Sequence, residues 1–236
     1  MDRRLGVILV LLLVSGIALS LAAYFFGVFR FDLKVAFALR GEDNPAFAAV
    51  MTAVSFLGDW WIPVILVFAV AAICALKKKW VEGVFVLATL SSGILAGILK
   101  MIVGRSRPPT FSMNPSDLFQ SFNQYAYPSG HVLFFVVFFG FVAYLAWKFL
   151  PGLMQWATIS ICAALIVLIG PSRIYLGEHW VSDVIGSYII GTLWLIILIL
   201  LYQMVLHWKS CKDDQSCQQN SDTNIPGTSL KEGVSR

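Results

Sequence analysis

Apolar residues along this chain form long unbroken blocks instead of alternating with polar ones at a helical or strand period. Six stretches carry no charged residue: 5–29, 60–76, 83–99, 132–147, 149–171 and 184–206. Each is close to or above the roughly 17–25 residues with which an α-helix crosses about 30 Å of hydrocarbon. Backbone groups in that medium must bond within their own segment, so the runs predict helices and not open strands. Pro151 and Gly152 place the start of the fifth helix just after them. Between the first two runs, the Asn44-Pro45 pair is a cap and first-turn signal for a helix over 46–57. That stretch is too short to span and predicts a helix lying in the interface. Asp59 and the pair Trp60-Trp61 mark the point where the second span enters the membrane. With short links and no internal repeat, the pattern predicts an all-α, polytopic bundle of six transmembrane helices over residues 1–206. A tail over 207–236, rich in Ser, Asn, Gln and Asp, is expected to be disordered.

Composition supports this class and excludes others. Of 236 residues, 58% are hydrophobic and 13% charged, with a mean hydropathy of +0.80. A water-soluble globule of this size cannot hide so much apolar surface, and a disordered, collagenous or disulfide-rich secreted chain has a different balance. The net charge of +4 arises from 17 Lys+Arg against 13 Asp+Glu. These bases lie in short runs between apolar stretches and match no nucleic-acid-binding motif, so topology and lipid head groups account for them. Arg3 and Arg4 with small residues at Ala22 and Ala23 resemble a cleavable signal, but the uncharged run of about 25 residues exceeds the roughly 7–15 of a signal core, so a retained helix is expected. Arg3 and Arg4, Lys77–Lys79, Lys148, and Lys209 with Lys212 all fall on one side of a six-helix weave. The positive-inside rule makes that side cytoplasmic, with both termini inside and segments 30–59, 104–127 and 172–183 outside. Cys74 and Cys162 lie within apolar runs. Cys211 and Cys217 with His207 spell H-x3-C-x5-C, which lacks a fourth ligand and predicts no metal site.

Polar residues at the ends of the spans carry the chemical information. Lys100 ends the third helix and is followed by Arg105 and Arg107-Pro108; the fourth is entered through Pro128-Ser129-Gly130-His131. The fifth leaves through Ser172-Arg173, and the sixth is entered through His179 and Asp183. Helix counting places all of them at the outer face. Ionisable groups at spans are costly unless paired or wet, so they are functional candidates by default. Three cations, Lys100, Arg107 and Arg173, neutralise a multiply charged anion, the arginines gripping its oxygens bidentately. Ser129 and Gly130 open a helix, where free N–H groups and the dipole favour phosphate. His179 and Asp183, four apart, share a face if helical, so that the carboxylate holds one imidazole nitrogen and leaves the other to attack. His131, from another helix, is available as a general acid. Each feature taken singly has a plainer reading, as a snorkelling base, an ordinary turn or a structural hydrogen bond. Their concurrence on one side, with two of three histidines among them, favours the chemistry.

The ordered triple Lys100-x6-Arg107-Pro108, Pro128-Ser129-Gly130-His131 and Ser172-Arg173-x5-His179-x3-Asp183 resembles the signature of the type 2 phosphatidic acid phosphatase family, relatives of the vanadium-dependent haloperoxidases. All eleven fixed positions are present. The motifs cover 100–183, and the helix layout extends the likeness over about 1–206. The resemblance implies a membrane phosphatase that needs no metal or other cofactor. The histidine matching His179 becomes a phosphohistidine, oriented by the acid matching Asp183, and that matching His131 protonates the leaving group. Lys100, Arg107, Ser129, Gly130 and Arg173 match the phosphate-binding positions; Arg105 lies outside the signature.

The expectation is therefore an integral-membrane lipid phosphate phosphatase in a prokaryotic plasma membrane, with its site at the outer leaflet and the lipid tail entering sideways between helices. Candidate substrates are phosphatidate, phosphatidylglycerol phosphate, polyprenyl diphosphate and a glycolipid phosphate. Loop aromatics Phe111, Phe119, Phe122, Tyr125 and Tyr127 suit an interfacial cover, and an ordinary aromatic belt explains them equally well. A lipid phosphotransferase would use the same residues. A non-enzymatic anion-binding transporter or scaffold would need the cations but neither histidine.

Overall fold

A computed structural model describes residues 3–59, 61–108 and 125–223, with side chains through residue 212. The described residues are helical: α1 Arg3–Phe26, α2 Arg30–Arg40, α3 Pro45–Phe56, α4 Ile62–Leu76, α5 Trp80–Ala88, α6 Ser91–Val103, α7 Gly130–Phe149, α8 Gly152–Tyr175 and α9 Val181–Thr223. Five stretches are long and apolar enough to cross a membrane, α5 and α6 together forming one of 24 residues. The break between α5 and α6 has a local cause. Thr89, Ser91 and Ser92 each turn a hydroxyl back onto the carbonyl three residues earlier, at 2.6–2.7 Å, competing with the helical ladder.

The second predicted span appears as α4, only 15 residues long, yet with its flanks it runs the length of α7. Asp59, before α4, meets His131 in the first turn of α7 at 2.6 Å. Lys79, after α4, sits 3.0 Å over the Phe149 ring that closes α7. Lys148 donates to Tyr202 of α9 at that same end, so Lys79 and Lys148 gather at one end of the bundle and the motif residues at the other.

α7 is the core helix. Phe135, Phe138 and Phe141 are almost fully buried, and Phe134 stacks on Phe138 with centroids 5.2 Å apart. α9 approaches it closely because Gly191 faces Val136, where an added Cβ would lie 3.0 Å from that side chain. α1 is largely exposed and joins through Gly16 against Ile190 and through Ser20, whose hydroxyl lies 3.0 Å from that of Tyr127.

The helix expected over 46–57 is present as α3, its Asn44 side chain accepting from the Ala46 and Phe47 N–H groups. Two features differ from expectation. Residues 30–40 form a further amphipathic helix, α2, folded around the buried Asp32. And α9 continues to Thr223, through residues 207–223 that were expected to be disordered; no Gly or Pro interrupts that stretch, and extending an existing helix needs no new nucleus. His207 and Cys211 stand one turn apart there, 3.8 Å between Nε2 and Sγ, and no group of three metal-ligating residues occurs among the described residues. Phe111, Phe119, Phe122 and the Cys217 side chain lie outside the described residues.

Candidate active site

Four helix ends and two connecting segments build the site. Lys100 lies buried in the last turn of α6. Gly104 ends that helix in the left-handed conformation (φ 61°), its N–H returning to the Lys100 carbonyl at 2.9 Å. The chain beyond is clamped: Ser106 bridges to Tyr125, and the Ala126 N–H donates to the Arg105 carbonyl at 2.7 Å. This clamp brings the Ala126 carbonyl within 2.7 Å of His179 Nδ1. A carbonyl only accepts, so Nδ1 carries the hydrogen and Nε2 the lone pair.

His179 sits in the turn between α8 and α9 and is 1% exposed. Burial, then the positive charges of Arg107, Arg173 and Lys100 together with His131, hold its pKa well below the ordinary histidine value. The ring is therefore neutral and lies among cations. The charges that act on it are those picked out by their position at span ends, so the structure brings Lys100, Arg107, His131, Arg173 and His179 together.

Arg173, in the last turn of α8, is buried with its fork spread between Ser55 of α3 and the Glu178 carboxylate; its Nη1 also lies 3.9 Å from Asp59. Arg107 reaches the same carboxylate at 3.6 Å. One internal carboxylate thus already lies on both guanidinium groups.

Three details correct the sequence-based geometry. Asp183 does not hydrogen-bond to His179: Oδ2 is 3.8 Å from Nδ1. α9 starts only at Val181, so His179 precedes the helix and the pair shares no helical face. The Asp183 carboxylate instead accepts from Arg105 Nη1 at 2.5 Å and from the Trp180 N–H at 2.8 Å. The Ser129 N–H, expected to be open to phosphate, donates to Ser187 Oγ at 2.7 Å, whereas the buried Ser129 hydroxyl has no hydrogen-bond partner. Gly130 opens α7 where an added Cβ would make only ordinary contact with Ala96, at 3.9 Å.

Arg105 now has a place. It is 4% exposed, joins Asp183 to Asp32 of α2 at 2.8 Å, and donates to Ser182 Oγ at 2.7 Å. The Asp32 carboxylate also accepts from the Ser182 N–H and hydroxyl, both at 2.8 Å. Sequence reasoning missed Asp32, Ser55, Glu178 and the Ala126 carbonyl. It read Asp59 only as a boundary marker, although the rule that singled out the other ionisable residues at outer helix ends applies to it equally.

From Lys100 and His131 the pocket continues as an apolar groove between α4, α6 and α7. This cavity of about 610 Å³ is lined by Pro63, Ile94, Gly97, Met101 and Phe134.

Residues 82–206 match the PAP2 superfamily. Phosphatidylglycerophosphatase B of Bacillus subtilis (strain 168) is 30% identical over 155 residues, which are 64% of this chain and 72% of that one. An undecaprenyl-diphosphatase of Sulfolobus acidocaldarius is 30% identical over 138 residues, 56% of this chain and 58% of that one. Among solved structures, a transmembrane PAP2-type phosphatidylglycerolphosphate phosphatase from Bacillus subtilis superimposes with a TM-score of 0.71 at 25% identity, over 84% of this chain and 96% of the other. With its apolar helices and the triple motif gathered at one end of the bundle, the chain belongs to the PAP2 superfamily and is a multi-pass membrane phosphoric ester hydrolase.

Proposed function

We propose that this chain is a lipid phosphate phosphatase that cleaves a phosphate monoester, or the terminal phosphate of a lipid diphosphate, through a phosphohistidine at the outer face of a prokaryotic plasma membrane. The observation that carries the reading is His179 itself: a buried neutral imidazole, Nδ1–H donated to a backbone carbonyl, in a pocket of cations. His179 Nε2 attacks phosphorus and the bond to the leaving oxygen breaks. His131 gives its proton to that oxygen, then takes one from the water that cleaves the P–N bond and releases inorganic phosphate. Lys100, Arg107 and Arg173 neutralise the phosphoryl oxygens, the substrate taking over the place of the Glu178 carboxylate, while the Ser129 hydroxyl and the Gly130 backbone complete the cradle. The side chains supply this charge themselves, so no step calls for a metal. Asp183 acts on His179 through the turn it caps and through Arg105, not by direct contact.

Lipid as the substrate class is supported by the apolar groove that leads from Lys100 and His131 between α4 and α6. The names of the relatives point the same way, to phosphatidylglycerophosphate and undecaprenyl diphosphate. The gathering of Lys77–Lys79 and Lys148 at the opposite end supports an outer site with cytoplasmic termini. The test uses intact cells carrying the chain, given short-chain phosphatidate in the presence of EDTA. They release inorganic phosphate into the medium above cells carrying His179→Ala. Release only after permeabilisation overturns the outward-facing site, and release only after Mg²⁺ is restored overturns the metal-free reaction.

A further inference from the structure

The family match begins at residue 82, yet the corner between α3 and α4 touches the pocket at two further groups. Ser55 contacts Arg173, and Asp59 Oδ1 lies 2.6 Å from His131 Nε2. The corner is a tight one: the Gly58 N–H donates to the Ser55 carbonyl at 2.9 Å, Asp59 N–H to Phe56 at 3.1 Å, and Ile62 N–H to Asp59 at 3.2 Å. Its backbone lies against the imidazole, since a Cβ added at Gly58 would fall 2.2 Å from His131 Cδ2. Only a glycine allows that approach. We propose that Asp59 is a positioning residue for His131, holding the ring by Nε2 so that Nδ1 faces the leaving-group oxygen and providing the counter-charge for the protonated imidazole.

This rests on the reading of His131 as the general acid. Its balance is simple. The imidazolium passes its Nδ1 proton to the leaving oxygen as the P–O bond breaks and becomes neutral, with Nε2–H still donated to the carboxylate. Asp59 stays ionised throughout. Burial alone would raise its pKa, but the hydrogen bond to His131, that ring's charge and Arg173 together bring it below the ordinary carboxylate value. The other charged groups near the ring, Arg173 and Lys100, are cations that repel an imidazolium. Among the described residues Asp59 is thus the countercharge in contact with it.

A general acid matters in proportion to how badly the leaving group needs a proton. The test compares an alkyl phosphate with an aryl phosphate bearing the same tail, in the wild type, Asp59→Asn, Asp59→Glu and His131→Ala. Asp59→Asn lowers kcat/KM about 10–100-fold on the alkyl ester and less than about 3-fold on the aryl ester. His131→Ala shows the same asymmetry, larger, and Asp59→Glu recovers part of the alkyl activity. Because the ratio of the two substrates is taken on one preparation, it does not depend on how much protein is correctly folded. An unchanged ratio in Asp59→Asn alongside a changed one in His131→Ala overturns the role of Asp59, and equal losses on both esters point to Arg173 as its partner instead. An unchanged ratio in His131→Ala overturns the underlying assignment of the acid.

Discussion

On the proposed mechanism His179 forms the covalent intermediate, so His179→Ala lowers kcat/KM on every phosphate substrate by about 10⁴-fold or more. The size of the loss follows from the surroundings of the ring. Lys100, Arg107 and Arg173 act on the buried ring, and His131 is engaged with Asp59. Water admitted in place of the imidazole has the cations but no activated nucleophile. The alanine also leaves the Ala126 carbonyl buried without its donor, costing about 1–3 kcal/mol of stability. His179→Asn is therefore the companion variant: its amide can still donate to that carbonyl, and it is equally inactive. Phosphate release measured on purified, monodisperse protein checks both. Activity within about tenfold of wild type in either variant contradicts the assignment of the nucleophile.

The second large effect is on stability and comes from a residue outside the signature. Arg105→Met removes the charge that Asp32 and Asp183 share, leaving two carboxylates of zero exposure with no cation between them. Breaking a buried ion pair in this way costs about 3–5 kcal/mol, since the desolvation of the remaining charge is no longer compensated. The site is affected as well, because Asp183 caps the turn that carries His179 and Asp32 fastens α2 to Ser182. Thermal unfolding in detergent shows a clearly lower Tm for Arg105→Met, together with loss of activity. Arg105→Met/Asp32→Asn, with one unpaired charge fewer, recovers part of the Tm. A single variant that unfolds at the wild-type temperature contradicts the bridging role.

The spans and the site were legible in the sequence to different degrees. Uncharged runs set the helices because hydrocarbon tolerates little else, and the parity of the weave brought Lys100, His131, Arg173 and His179 to one end. Where a helix begins decides finer matters. The four-residue spacing of His179 and Asp183 implied a shared face, but the helix starts between them and the pairing passes to Ala126 and Arg105. A backbone carbonyl as partner leaves no trace in side-chain identities. α2 escaped notice because its apolar and charged residues are interleaved, and its reason to exist is a long-range one: Asp32 reaches Arg105 and Ser182. Glu178 and Asp59 were readable as charges at the right depth, but not as partners of the arginines and of His131, since those contacts bring together distant parts of the chain.

The covalent intermediate is tested most directly with the His131→Ala chain and a radiolabelled aryl phosphate. The aryl leaving group departs with little help from an acid, whereas attack of water on the phosphoenzyme has lost its base, so the intermediate accumulates. The account predicts a burst of aryl alcohol equal to the enzyme present, with the label on His179 after an alkaline quench. Alcohol released while the chain stays unlabelled, or labelled at another residue, contradicts it.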